Sequence, residues 1–159
     1  MKTHFLFPNS FKKIGWLLFV PSFILGTYLL LSGFDFDNSF VVKTFAIVND
    51  RLFNQSKYFN FIENGILDEL ITVLVIVGGI LVGFSKTKNE DEYISKIRYE
   101  SLVWATYFNF GLLLFTTIFI FGIPYFYILV ANIAAMLLFF IIRFHYKIYQ
   151  LNKATNDDE

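Results

Sequence analysis

Apolar residues fill four blocks of the chain, Ile14 to Gly33, Ile66 to Phe84, Ser101 to Phe121 and Tyr125 to Tyr146. A hydrocarbon core about 30 Å thick is crossed by about 20 apolar residues in a helix. The pattern therefore predicts an all-α membrane protein with four transmembrane helices, at 14–33, 66–84, 101–121 and 125–146, in a single integral membrane domain over 1–159. Only Gly122-Ile123-Pro124 separates the last two blocks. One continuous helix through both would exceed any bilayer, and Gly and Pro break helices, so an antiparallel hairpin is expected.

The polar intervals are unequal. The loop 34–64 is too long for a tight connection and too rich in Phe and Tyr for a disordered linker. Phe40 to Val48 is β-branched and aromatic enough for a strand, and Tyr58 to Ile62 is able to pair with it across the turn-prone Asn49-Asp50 and Asn54-Gln55-Ser56. An amphipathic helix lying in the interface is the competing reading. Either gives a small cap rather than a domain. The segment 85–100 concentrates charge: Asn89 followed by Glu92 has the form of an N-terminal capping pair, and Glu90, Asp91 and Glu92 would occupy a first helical turn, where the macrodipole favours negative charge. Ile94, Ile97 and Ser101 continue on one face, so a helix from about Glu90 to Phe121 is expected to project beyond the hydrocarbon.

Lys and Arg near membrane spans are retained in the cytoplasm. Ten of them, Lys2, Lys12, Lys13, Lys86, Lys88, Lys96, Arg98, Arg143, Lys147 and Lys153, fall on one side, and three, Lys43, Arg51 and Lys57, on the other. Both termini, the segment 85–100 and the tail 147–159 are thus expected in the cytoplasm, with 34–64 as an extracytoplasmic cap, in a multi-pass membrane protein. Lys12 and Lys13 before the first apolar run resemble a signal sequence, but the run is longer than an h-region and has no small-x-small cleavage site, so an uncleaved signal anchor is expected.

Composition narrows the chemistry. Hydrophobic residues make up 56% of the 159 and charged ones 16%, against roughly 25% charged in soluble domains. Thirteen basic residues balance thirteen acidic ones, which removes a net field for nucleic acid. Without Cys there is no disulfide, thiolate nucleophile or Cys-based metal site. No cofactor motif is visible and no metal is expected, since adjacent helical carboxylates such as Glu90, Asp91 and Glu92 point in different directions. The helical pairs share no alignable pattern, so an inverted-repeat transporter is unsupported.

Four groups of residues remain as candidates. Glu90, Asp91, Glu92, Lys96 and Arg98 give the start of the third helix an acidic first turn and a basic second one, the form of a docking surface for a protein partner, beside the plainer reading of a solvated helix start. Glu100 and Arg143 lie at nearly equal depth on antiparallel neighbours and are expected to pair as a structural brace; His145, close by, reads as an amphipathic residue at the membrane edge. Asn109 and Asn132 are the carboxamides well inside the membrane, reading as cross-helix glue or, more sharply, as a polar track through a small oligomer. Asp68 and Glu69 open the second span as an acidic extracytoplasmic pair, which would need Asp35, Asp37, Asp50 or Arg51 to complete a site. Gly79 and Gly83, with Gly78 adjacent, allow close helix approach, within the chain or between copies.

The stretch from Phe84 to Ala105, with Asp68-Glu69 ahead of it, resembles a family of small membrane proteins common in flavobacteria and related Bacteroidota. The resemblance covers the second half well and the first span and loop loosely. It implies an inner-membrane protein of four helices and brings no activity with it. The sequence thus leads to a non-enzymatic membrane protein in a regulatory or assembly-accessory role, docking a partner through 89–100. The alternative is an oligomeric channel or carrier using the polar residues of the last two helices.

Overall fold

The structure, a computed structural model, describes residues 5–35, 39–49, 57–88 and 90–157. Its elements are α1 (Ser10–Leu31), β1 (Val41–Asn49), β2 (Lys57–Gly65), α2 (Leu67–Gly83), α3 (Glu92–Phe119) and α4 (Ile123–Asp157). Three of the helices, α1, α3 and α4, are long and apolar enough to cross a membrane. At 17 residues α2 spans about 25 Å, short of a hydrocarbon core. The chain divides into two compact units, Met1–Val20 with Val75–Glu159, and Pro21–Leu74.

In the first unit, α3 and α4 form the expected helical hairpin. Ile120 caps α3 with its N–H on Thr116 O at 2.9 Å, and Gly122 takes φ +78°, a left-handed turn that a side chain would oppose. Pro124 follows in the first turn of α4, where its missing N–H leaves no helical bond unmade. The hydroxyls of Thr117 and Tyr125 meet across the turn at 3.0 Å. Further along, Phe108 and Phe139 stack with centroids 4.4 Å apart. The α4 helix continues to Asp157, well past the expected end at Tyr146, because no Gly or Pro interrupts the sequence after Pro124.

Most buried side chains of this unit gather away from the turn: Phe19, Val82, Ser85, Ile94, Ile97, Arg98, Ser101, Ala105, Phe140, Ile141 and Phe144. Small residues admit the close packing. A Cβ on Gly78 would lie 2.6 Å from the backbone N of Phe19, and one on Gly83 would strike the Phe140 ring. Gly79 faces Leu137 and Phe19. The glycines of α2 therefore serve approach within the chain, the intramolecular of the two uses their spacing allows. The N-terminal segment joins the same end through a short parallel bridge: Phe7 N–H donates to Phe84 O at 3.0 Å, Lys86 N–H to Phe7 O at 2.9 Å, and Asn9 Nδ2 to Lys86 O at 2.6 Å.

The second unit holds the C-terminal part of α1, the β-hairpin and the start of α2. Gly33, at φ +66°, ends α1, with Phe34 N–H returning to Leu29 O at 3.2 Å. The strands pair antiparallel, Val41 opposite Gly65, Lys43 opposite Glu63 and Phe45 opposite Phe61. Of the two expectations for 34–64, the strand pair is the one that forms; β-branched and aromatic residues outweigh any helical periodicity here. A single residue, Ile66, connects β2 to α2.

Candidate functional site

The start of α3 is built differently from the sequence expectation. Helix begins at Glu92, and its cap is Asp91, whose Oδ1 accepts the Ile94 N–H at 2.7 Å from an extended backbone. Asn89, the expected cap, lies outside the described residues. Capping at Asp91 leaves Glu90 ahead of the helix, free to turn back along it.

There Glu90 meets Arg98. The carboxylate accepts from Arg98 Nη1 on Oε1 and from Nη2 on Oε2 at 3.1 Å, a bidentate pair in which Arg98 is buried and Glu90 half-buried, their side chains 6% and 12% exposed. Thr87 adds its backbone N–H at 2.8 Å and its hydroxyl at 2.9 Å, and Ser95 Oγ approaches at 3.4 Å. Burial alone would raise the Glu90 pKa, but the Arg98 and Thr87 hydrogen bonds outweigh it and hold the carboxyl below its ordinary range. A carboxylate so fully engaged by donors is no general base.

Arg98 extends the clasp. Its Nη2 also donates to Ser85 O at 3.3 Å, and its guanidinium lies over the Phe144 ring, 4.8 Å from the centroid. Lys12 Nζ is 6.0 Å from the same centroid. His145 packs edge-on to Trp16 at 5.4 Å, with Nδ1 on Ile141 O at 2.8 Å. Lys12 of α1 and Arg98 of α3 thus meet over one aromatic ring of α4, and Ser85 and Glu90 join them through Arg98. Arg98 Nε and Ser101 Oγ are buried there without a hydrogen-bond partner.

The remaining sequence candidates separate into three groups. Glu92, Lys96 and Glu100 lie on the outer face of α3 with the exposed Tyr93 and Tyr99, away from the buried stripe of Ile94, Ile97, Arg98 and Ser101. Arg98 is therefore withdrawn from the docking surface, and Glu90 with it, because each is occupied by the other. The Glu100–Arg143 brace does not form. The two share a depth, but successive helical residues turn by about 100°, which carries Glu100 away from the face that meets α4. Arg143 lies instead over Trp104, 5.2 Å from the ring centroid.

Asn109 is buried and Asn132 half-buried, yet no bond joins them; Asn109 Oδ1 and Asn132 Nδ2 both lack a partner. Asp68 and Glu69 stand in the first turn of α2, Glu69 exposed, and Asn64 Nδ2 donates to Glu69 Oε1 at 2.9 Å. Of their possible completing residues, Asp37, Asp50 and Arg51 lie outside the described residues. Among the described residues, no three His, Cys, Asp or Glu side chains gather as a metal site.

Sequence reasoning missed the Glu90–Arg98 pair, although it left a signal. Arg98 is four residues from Ile94 and three from Ser101, so it sits on the apolar stripe, where a buried cation requires a nearby carboxylate. Comparisons with protein families, curated proteins and solved structures found nothing that matches the chain.

Proposed function

We propose that this chain is a non-enzymatic integral protein of a bacterial inner membrane that docks a protein partner through the exposed face of the start of α3. In this reading α2 completes a set of four spans, its short helix lengthened by Ile66 and Phe84 and accommodated by local thinning of the bilayer. The termini and the segment 85–100 are cytoplasmic and the β-hairpin extracytoplasmic, following the distribution of Lys and Arg. Likeness to the flavobacterial four-helix family belongs to the same reading.

The observation that carries it is the division of labour at the start of α3. Its inner face is clasped by Glu90–Arg98 and Phe144, so the orientation of the helix is set without help from a partner. Its outer face presents Glu92, Tyr93, Lys96, Tyr99 and Glu100, two aromatics among mixed charges. Tyr is enriched in protein interfaces, where its ring adds area at little entropic cost. Photo-crosslinkers placed at Tyr93 and at Tyr99 in native membranes should each trap the same second protein. Recovery of nothing but the chain itself defeats the docking reading.

The unpaired Asn109 and Asn132 amides favour a second reading, a channel or carrier assembled from several copies, because polar groups unsatisfied inside a bundle are where a solute would be held. Solute flux in liposomes that falls in Asn109→Leu and Asn132→Leu would support it; absent or unaltered flux removes it.

A further inference from the structure

The β-hairpin presents an exposed aromatic face. Phe45 is edge-on to Phe61 with centroids 5.4 Å apart and lies 6.4 Å from Phe59, so the three rings form one cluster on one side of the sheet. All three are more than half exposed, as is Ile47 on the same strand face as Phe45. Lys43 and Glu63 sit opposite each other at one edge of the same face, and on the other face Thr44, Ala46 and Ile62 are half-buried while Val42, Val48, Tyr58 and Asn60 are exposed. An isolated two-stranded hairpin is marginal in water and needs a further apolar layer.

The chain itself indicates that layer. One residue separates the end of β2 at Gly65 from Leu67 of α2, and Gly33 ends α1, a helix apolar enough to cross a membrane, eight residues before β1 begins. Both ends of the hairpin are thereby tethered where apolar helix gives way to polar sequence, the depth at which aromatic rings favour the membrane interface. Nine-residue strands reach about 30 Å. A hairpin standing upright on that tether would hold its aromatic cluster in water, whereas one lying down would place the cluster among the lipids.

We propose that the hairpin lies on the membrane surface with the Phe45, Phe59 and Phe61 face inserted in the lipid interface. The occupant of this face is lipid, and the rings act as an anchor that sets the depth and tilt at which α1 and α2 enter the bilayer. The inference rests on the proposed membrane span at α1, and it is independent of docking at α3.

The chain has no Cys, so single nitroxide labels can be placed without background. Four full-length variants, Phe45→Cys, Phe61→Cys, Asn60→Cys and Leu25→Cys, are labelled in liposomes, and collision with oxygen is compared with collision with a water-soluble nickel complex. Leu25, exposed on α1, reports on the span, and Asn60, paired with Ala46, reports on the opposite strand face. Labels at 25, 45 and 61 should favour oxygen, and the label at 60 should favour nickel. Using both Phe positions guards against one substitution disturbing the hairpin. A lipid-exposed Leu25 with water-exposed 45 and 61 overturns the inference while leaving the membrane reading intact. A water-exposed Leu25 overturns both. Dipolar broadening at 45 and 61 with low access to either reagent assigns the face to a second copy of the chain and likewise overturns the lipid assignment.

Discussion

The two ends of the α3–α4 hairpin are made of similar sequence and are held together in opposite ways. At the end remote from Gly122, Ala105 and Phe144 are wholly enclosed and a charged pair lies beside them. At the turn end, Phe115, Phe119, Phe121 and Phe126 are each more than half exposed, and the hairpin closes on a hydroxyl contact. Phe residues are plentiful at both ends, so aromatic content does not explain the difference. What differs within this unit is how many elements meet: the N-terminal segment, the start of α1, the end of α2 and the linker all converge on the end remote from the turn. Stability should therefore be concentrated at the clasped end, and the turn end should tolerate change.

The largest effect is expected from Arg98→Met. It leaves the half-buried Glu90 carboxylate without its principal counter-charge but with the Thr87 donors, so the loss should fall between the roughly 1 kcal/mol of an exposed pair and the roughly 3–5 kcal/mol of a fully buried one. Thermal unfolding in detergent should show that loss, and adding Glu90→Gln should recover most of it. A single variant within about 1 kcal/mol of wild type would mean that the clasp contributes little.

The same pair can be broken by pH. Glu90 is held below its ordinary value of 4.5, so the unfolded chain binds its proton first as acid is added. The contribution of the pair is fully present above pH 4.5 and is lost as pH falls through the depressed folded value. Stability measured from pH 7 downward should stay level with respect to this group and then fall more steeply in wild type than in the Glu90→Gln/Arg98→Met variant. Equal slopes would separate acid lability from the clasp.

Two glycines extend the contrast into packing. Gly78→Ala would bring a methyl within 2.6 Å of the Phe19 backbone, and overpacking of that kind costs about 1–3 kcal/mol. Gly111, in α3 toward the open end, has nothing within 4 Å of the place a methyl would take, so Gly111→Ala should stabilise by up to about 1 kcal/mol through helix propensity. Opposite shifts in melting temperature are expected from the same chemical change. Destabilisation by both would show that α3 is enclosed along its whole length.

The features legible in sequence were those written in composition and local pattern. The long apolar helices α1, α3 and α4, the break at Gly122 and Pro124, and the pairing of Phe40–Val48 with Tyr58–Ile62 all follow from runs of residues whose preference is the same wherever they are placed. The clasp was less legible because it turns on a choice between neighbours. Asn89 and Asp91 are equally good caps by type, and capping at Asp91 is what releases Glu90 to reach Arg98, eight positions on. Equal depth misled the pairing of Glu100 with Arg143, since depth says nothing about which way a helical residue faces. The bridge of Phe7 to Ser85 rests on backbone atoms, which every residue carries, and so leaves no mark in the sequence at all.

The smallest effect tests the boundary between the two ends. Asn109 stands between the clasp and the open turn, and its Oδ1 has no partner. Cross-helix bonds in membranes average about 0.6 kcal/mol, and an unmade one contributes nothing while its acceptor remains desolvated. Asn109→Leu should therefore be neutral or slightly stabilising in the same unfolding assay, and Asn132→Leu should behave alike. A loss above about 0.6 kcal/mol in either, absent when the two changes are combined, would reveal a bond between the carboxamides and move the tightly held region one step toward the turn.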